Sequence, residues 1–431
     1  MITLKDVEAA EKALESVIRP TPLLVSHTLS DLLGREVLLK PESLQRTGSF
    51  KLRGAYNRIL QIPAAERAKG VLAASAGNHA QGVALAARLL GLPATVVMPE
   101  DTAIVKVERA RSFGAEVVLV KGDFEAAALR CDALVKERGC TPIPTFDDPA
   151  VIAGQGTVGL EIVRDAGGPV DEVLVPTGGG GLLAGVATAV KGLSPKTRVV
   201  GVQAEGCASV VASLKKGERV MVPKASTFAE GIAVRMVGEH PFAIIRERVD
   251  DVVTVSDEAV ARAMVTIIEK SKLVVEAAGA AAAAALLEGE RPPGKGRVVV
   301  ILSGGNVDIN LLQRVIERGL VAEGRYVRIT VRMPDRPGNL ALVLAVVAAH
   351  GGNVVDVEHD RGGWRVSLGE VKASLLVELR EPGAGPSILE AVQAAGFDAT
   401  LLGADEYRQA RSRGVAPDRD EDEIPPAGAK G

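Results

Sequence analysis

Residues Asp171 to Leu193 read DEVLVPTGGGGLLAGVATAVKGL, and this stretch decides the fold. A short run rich in Val and Leu ends in four glycines, Gly178, Gly179, Gly180 and Gly181; Leu182 then opens an Ala/Leu-rich stretch of helical length. The run is apolar throughout rather than at alternate positions, as a strand buried on both faces requires. Strand, glycine-rich turn and helix make one βα unit of a parallel sheet.

Seven more runs repeat the pattern: EVLLK from Glu36, VLAAS from Val71, ATVVM from Ala94, EVVLV from Glu116, RVVGVQ from Arg198, DVVTV from Asp251 and RVVVILS from Arg297. Helix-length sequence separates each from the next. The fold class expected is α/β, with doubly wound parallel sheets. The Pro-rich TPIPTFDDPA, Thr141 to Ala150, divides the runs into two groups. Two lobes around a cleft follow, filling about residues 1–320, with the small lobe, about 48–147, inserted in the large one.

After Glu317 the pattern changes. YVRITVRM, LALVLAVVAAH, NVVDVEH, KASLLVELR, SILEAVQAAG and FDATLL read as β-α-β-β-α-β, a ferredoxin-like module over residues 326–402. The segment 405–431, with DRDEDE and IPPAGAKG, is polar and Pro/Gly-rich and is expected to be a disordered tail.

Composition narrows the function classes. The 431 residues are 47% hydrophobic and 24% charged, as in an ordinary soluble globular protein of several domains. A net charge of −3 supplies no basic field for nucleic acid or anionic lipid. Aromatics are only 3%, so cores must be built from Ala, Val, Leu and Ile. Three cysteines, Cys131, Cys140 and Cys207, form no CxxC pair and indicate neither a disulfide framework nor a zinc site. The N-terminal MITLKDVEAAEKALESV lacks signal-peptide character, and the longest apolar stretches reach about half the ~20 residues of a membrane helix. A cytoplasmic protein is expected.

Ligands in open α/β sheets bind at the carboxyl ends of strands, where three loops and a lysine stand out. Gly178 to Gly181 let backbone approach an anion closely, and the following helix adds its positive end, so a phosphate is expected there. The same loop satisfies a relaxed dinucleotide fingerprint at Gly179, Gly181 and Ala184, with Glu205 as a ribose-binding acid, which keeps a nicotinamide enzyme open. Ser75-Ala76-Gly77-Asn78-His79-Ala80-Gln81-Gly82 ends a strand and opens a helix, a place suited to a carboxylate. His79 by itself reads as a packing residue as readily as a catalytic one. Ser303-Gly304-Gly305-Asn306 sets a hydroxyl at the end of a buried strand. Lys51 lies in Thr47-Gly48-Ser49-Phe50-Lys51-Leu52-Arg53-Gly54-Ala55, inside a helix that Thr47 or Ser49 could cap. Desolvation and the helix N-terminus should lower its pKa toward a nucleophilic amine. Amine, phosphate cradle, carboxylate loop and strand-end hydroxyl are together the parts that hold pyridoxal phosphate as a Schiff base.

In this order the four motifs, Ser49 to Ala55, Ser75 to Gly82, Gly178 to Leu182 and Ser303 to Asn306, resemble those of threonine ammonia-lyases, pyridoxal-phosphate enzymes of the tryptophan-synthase-β fold (fold type II). The resemblance covers roughly residues 5–316. It implies that Lys51 carries the Schiff base, Phe50 flanks the cofactor ring and Asn78 bonds its phenolic oxygen. Gly178, Gly179, Gly180, Gly181 and Leu182 would hold the phosphate, and Ser303 would meet the pyridine nitrogen. Ser75, Gly77, Asn78 and His79 would bind the substrate carboxylate. A neutral hydroxyl at the pyridine nitrogen favours elimination over transamination. The implied reaction is deamination of L-threonine to 2-oxobutyrate and ammonia, a first step toward isoleucine, and of L-serine to pyruvate.

The similar serine racemases carry a second serine base where this chain has Ala76, so racemase or serine dehydratase activity is the alternative. A nicotinamide dehydrogenase and a non-catalytic amino-acid sensor are the others. A cation-binding Glu of the family is replaced by Gln203, with Glu205 nearby, and no metal ligands are assigned. The C-terminal module resembles an ACT domain, whose Asp335-Arg336-Pro337-Gly338-Asn339-Leu340 turn would take an amino-acid effector, isoleucine or valine, between paired modules. A homodimer or homotetramer is implied.

Overall fold

All eight apolar runs form strands in the computed structural model, which describes residues 1–288, 296–361, 369–381 and 383–402. The tail expected at 405–431 lies outside the described residues. The chain divides into two compact units, residues 1–311 and the remainder from Leu312.

In chain order, the strands of the first unit begin with β1 (Leu24–Val25), β2 (Val37–Pro41), β3 (Val71–Ala74), β4 (Ala94–Pro99) and β5 (Glu116–Val120). They continue with β6 (Thr141–Pro142), β7 (Glu172–Pro176), β8 (Arg198–Ala204), β9 (Asp251–Val255) and β10 (Val298–Leu302). β1 and β6 are two-residue strands, too short to leave a periodicity in the sequence. A six-stranded sheet has the order β1-β2-β10-β7-β8-β9, and a four-stranded sheet the order β5-β4-β3-β6. Every pairing is parallel except β1 with β2. The chain therefore leaves the larger sheet after β2, builds the smaller one, and returns to the larger at β7.

The three central strands β2, β10 and β7 are buried along their whole length. Their carboxyl ends lead into the Lys51 segment, the Ser303 loop and the glycine loop, so strand order alone gathers three of the four motifs. Helix Ala277–Leu287 carries no charge, is apolar all round and has its first nine residues buried, as a helix without a polar face must be.

Glycines let three helices that surround the lysine approach closely. A Cβ on Gly154 would stand 2.6 Å from the Arg53 carbonyl oxygen, and one on Gly82 3.0 Å from the Lys51 carbonyl carbon. Helix Lys51–Leu60 is thereby clamped between helices Asn78–Leu89 and Pro149–Asp165. Beneath Lys51 the same helix buries the Arg53 guanidinium completely. It bonds Glu42 at 2.8 Å and Glu161 at 2.5 Å; Lys40, also fully buried, bonds Glu161 at 2.6 Å. Two cations and two carboxylates balance, which is the condition for tolerating charge in an interior.

The second unit contains β11 (Tyr326–Pro334), β12 (Gly352–Asp360), β13 (Glu370–Leu379) and β14 (Asp398–Leu402), with helices Asn339–Ala349 and Gly385–Ala394. Its antiparallel sheet has the order β12-β13-β11-β14, giving the βαββαβ arrangement read from the sequence. Alternate residues of β11, Val327, Ile329, Val331 and Met333, enter the core with Val343, Val347, Ile388 and Val392 of the helices.

Candidate active site

The Lys51 segment and the Ser303 loop are joined by backbone. Ser49 and Gly304 form an isolated antiparallel bridge, the Phe50 N–H donates to the Ser303 carbonyl at 3.2 Å, and the Gly305 N–H donates to the Gly48 carbonyl at 2.9 Å. Helix Lys51–Leu60 begins at Lys51 itself. Neither Thr47 nor Ser49 caps it, contrary to the sequence reading: Thr47 Oγ1 bonds the Ser49 carbonyl at 3.3 Å, and Ser49 Oγ is buried without a hydrogen-bond partner. The backbone bridge to Gly304 fixes the turn and makes a side-chain cap unnecessary.

Lys51 Nζ stands 5.0 Å from the centre of the Phe50 ring and 3.4 Å from the Thr145 carbonyl oxygen. Desolvation in the cleft pulls the amine from 10.5 down to about 8, against an opposing pull from the nearby Glu276 carboxylate. A substantial neutral fraction at physiological pH is what a nucleophilic or basic lysine needs.

Helix Gly181–Leu193 follows the glycine loop, and Gly180 precedes it at φ +92°, in the left-handed region that favours glycine. A Cβ on Gly179 would lie 2.5 Å from the Phe146 ring, and one on Gly178 2.9 Å from Ile232 Cα. The loop thus presents bare backbone, and the N–H groups of the first helical turn have no partner inside the helix. Phe146 belongs to the segment that returns from the smaller sheet. Its neighbour Asp147 accepts from the Glu239 and His240 N–H groups at 2.8 and 2.9 Å, capping helix Glu239–Arg248 from a distant part of the chain.

Helix Asn78–Leu89 opens at Asn78, with Gly77 before it. Ser75 Oγ accepts from the Gly77 N–H at 3.2 Å and shapes the turn. The His79 imidazole is buried against the smaller sheet, where its Nε2–H donates to the Ile143 carbonyl at 2.8 Å. Burial, with the Lys51 charge adding to it, pulls its pKa down to about 3, so the ring stays neutral. Any contribution of His79 to an anion site comes from its backbone N–H at the helix start. Ser303 Oγ is buried and makes only a 3.5 Å contact with the Ala278 carbonyl, leaving the hydroxyl available. Gln203, where a carboxylate was weighed for a cation, spends its Oε1 accepting from the Val210 and Val211 N–H groups at 2.9 and 3.1 Å.

Two residues of this region escaped the sequence reading. Phe146 gave no signal beyond its place in a Pro-rich crossing. Glu276 did leave one, because a carboxylate directly before an uncharged alanine helix is drawn inward with it.

A bare-backbone cradle at a helix start, an unpartnered buried hydroxyl at Ser49, a spare hydroxyl at Ser303 and an amine of lowered pKa fit pyridoxal phosphate in size and chemistry. The family model for pyridoxal-phosphate dependent enzymes matches residues 14–304, and the chain belongs to that family. Membership sets aside the nicotinamide reading of Gly179, Gly181, Ala184 and Glu205. Among individual relatives, the L-threonine ammonia-lyase of Thermotoga maritima is 43% identical over 403 residues, 94% of this chain and 100% of its own. The crystal structure of a T.th. threonine deaminase is 46% identical with a TM-score of 0.68, covering 72% of this chain and 99% of that one. The maize serine racemase structure is 32% identical with a TM-score of 0.69, covering 74% and 98%.

Proposed function

We propose that the chain is a threonine ammonia-lyase, converting L-threonine to 2-oxobutyrate and ammonia and L-serine to pyruvate. The observation that carries this reading is the Lys51 amine, lowered to about 8 and set among the ends of β2, β10 and β7. The names of two L-threonine ammonia-lyases that match 94% and 88% of the chain support the substrate.

In this reading Gly178 to Gly181 and Leu182 hold the cofactor phosphate, Lys51 its aldehyde carbon, Phe50 flanks the ring, Asn78 faces its phenolic oxygen and Ser303 its ring nitrogen. Bound pyridoxal phosphate supplies an electron sink that acidifies the Cα–H of an attached amino acid. The loop of Ser75, Gly77, Asn78 and His79 holds the substrate carboxylate, with the backbone N–H groups of Asn78 and His79 at the helix start as donors, and this orients the Cα–H toward Lys51. The neutral Lys51 amine would take that proton, and the β-hydroxyl would leave as water with a proton supplied by the cofactor phosphate or a nearby acid. Ser303 would face the ring nitrogen with a hydroxyl rather than a carboxylate, and so would supply no negative charge to hold a proton there, a setting that favours elimination over transamination. Ala76 offers no second base, which disfavours the racemase alternative suggested by the maize relative.

The βαββαβ unit is read as a regulatory module that takes isoleucine or valine at the Asp335 to Leu340 turn, in a cytoplasmic homodimer or homotetramer. The decisive assay measures ammonia with 2-oxobutyrate from threonine against pyruvate from serine. Lys51→Ala should lower turnover by at least ~10³-fold and remove the visible absorption band of the bound cofactor; a variant that keeps both overturns the reading.

A further inference from the structure

Glu276 belongs to none of the four motifs, yet its carboxylate sits where two of them meet. Asn78 Nδ2 donates to Glu276 Oε1 at 2.5 Å, and the Glu276 N–H donates to the Gly304 carbonyl at 3.1 Å. A Cβ on Gly304 would collide with Glu276 Oε1, so the glycine of the Ser303 loop is what admits the carboxylate.

The hydrogen bonds around it run in one direction only. The Thr47 carbonyl can only accept, so Asn306 must turn Nδ2 toward it, at 2.7 Å, and its Oδ1 then faces Arg109, which donates at 2.7 Å. Asn306 Nδ2 also donates to Asn78 Oδ1 at 2.7 Å. With its oxygen thus taken, Asn78 must present Nδ2 on the other side, where Glu276 accepts one of its two hydrogens. The second hydrogen is left to point as a donor. The chain of contacts alternates across the seam between the two sheets: Arg109 and Asn78 come from the smaller lobe, Asn306 and Glu276 from the larger. Lys106, three residues before Arg109 on helix Ile104–Ser112, makes a parallel crossing to Glu230 at 2.6 Å.

We propose that Glu276 is a positioning residue, whose carboxylate fixes the Asn78 amide so that its free N–H donates to the cofactor, and which does so only while the two lobes are in contact. The proposal rests on the reading that Asn78 faces the cofactor oxygen. A charged acceptor polarises the amide and strengthens its remaining donor; a neutral one does not. Desolvation pushes Glu276 up to about 7, with Asn78, Lys106 and Lys51 opposing the rise and Glu230 adding to it. Those groups, from four separate elements, are the ones that face the carboxylate. Its charge, and with it the strength of the Asn78 donor, therefore changes near neutral pH.

The test uses the purified holoenzyme and reads the cofactor itself. The visible spectrum of the wild type should show a transition near pH 7 that Glu276→Gln abolishes, with the cofactor dissociation constant raised roughly tenfold, the scale of one charge-assisted hydrogen bond. Glu276→Asp, which keeps the charge, should restore the transition. Asn306→Ala, which frees the Asn78 oxygen without touching Glu276, should weaken cofactor binding by a similar factor. Unchanged spectral titration and cofactor affinity in Glu276→Gln overturn the proposal; should that variant not fold, unchanged affinity in Asn306→Ala does so. If the visible band survives Lys51→Ala, the active-site reading fails instead, so the two failures are distinguishable.

Discussion

A neutral imidazole deep in the smaller lobe ties stability to pH at one residue. His79 takes up a proton at about 3 in the folded chain but near 6.5 when unfolded. Between those values the unfolded state binds more protons, so stability is fully present above 6.5 and is lost as pH falls toward 3. Wild type should lose up to about 1.4 kcal/mol per pH unit more than His79→Gln below pH 6, measured by urea unfolding at pH 7 and pH 5; equal slopes would show that the ring titrates freely. Gly180 makes a second residue-scale prediction. At φ +92° and with Ile245 and Pro241 2.9 Å from a would-be Cβ, Gly180→Ala should cost about 1–3 kcal/mol of stability and weaken cofactor retention, read by thermal melting and equilibrium dialysis.

At the scale of elements, helix Lys51–Leu60 shows how the Lys51 side chain is held by what lies behind it. Arg53 is locked to Glu42 and Glu161, and the helix cannot rotate without unpairing buried charges. Arg53→Leu leaves two carboxylates short of a cation and should destabilise by about 3–5 kcal/mol, as breaking a buried pair does. Replacing Arg53, Glu42 and Glu161 together by apolar residues of similar volume should recover most of that loss, which chemical denaturation of the two variants would measure. β2, β7 and β10 were legible because both faces of each are covered, so their apolar runs are unbroken, while the edge strands β5 and β9, partly exposed, were legible from their β-branched residues. β1 and β6 were not, since two residues carry no period. The helix cap at Lys51 was misread because the turn is fixed by a backbone bridge to Gly304, a residue far along the chain to which local sequence is blind.

At the scale of the whole molecule, the T.th. threonine deaminase structure covers 72% of this chain while being itself 99% covered, a matched length close to that of residues 1–311. Residues 1–311 form a compact unit with two sheets of their own. A chain ending at Gly324 should keep threonine deamination within a few-fold of the full-length rate and lose any response to isoleucine or valine. Steady-state kinetics and thermal shifts with and without each amino acid check this; a truncated chain that still responds would move the effector site out of the βαββαβ unit.

Sequence by itself determined the α/β class, the βαββαβ module and the three loops at strand ends, because burial on both faces and bare glycine turns leave their mark on neighbouring residues. It also singled out Lys51, though only by the company of motifs that fit one cofactor. Tertiary structure alone decided that His79 turns inward to Ile143, that Phe146 fills the space beside the glycine loop, and that Glu276 meets Asn78. Each of these depends on which atoms from distant segments come within hydrogen-bond or van der Waals reach, and residues 198 positions apart, as Asn78 and Glu276 are, share no local pattern that could announce it.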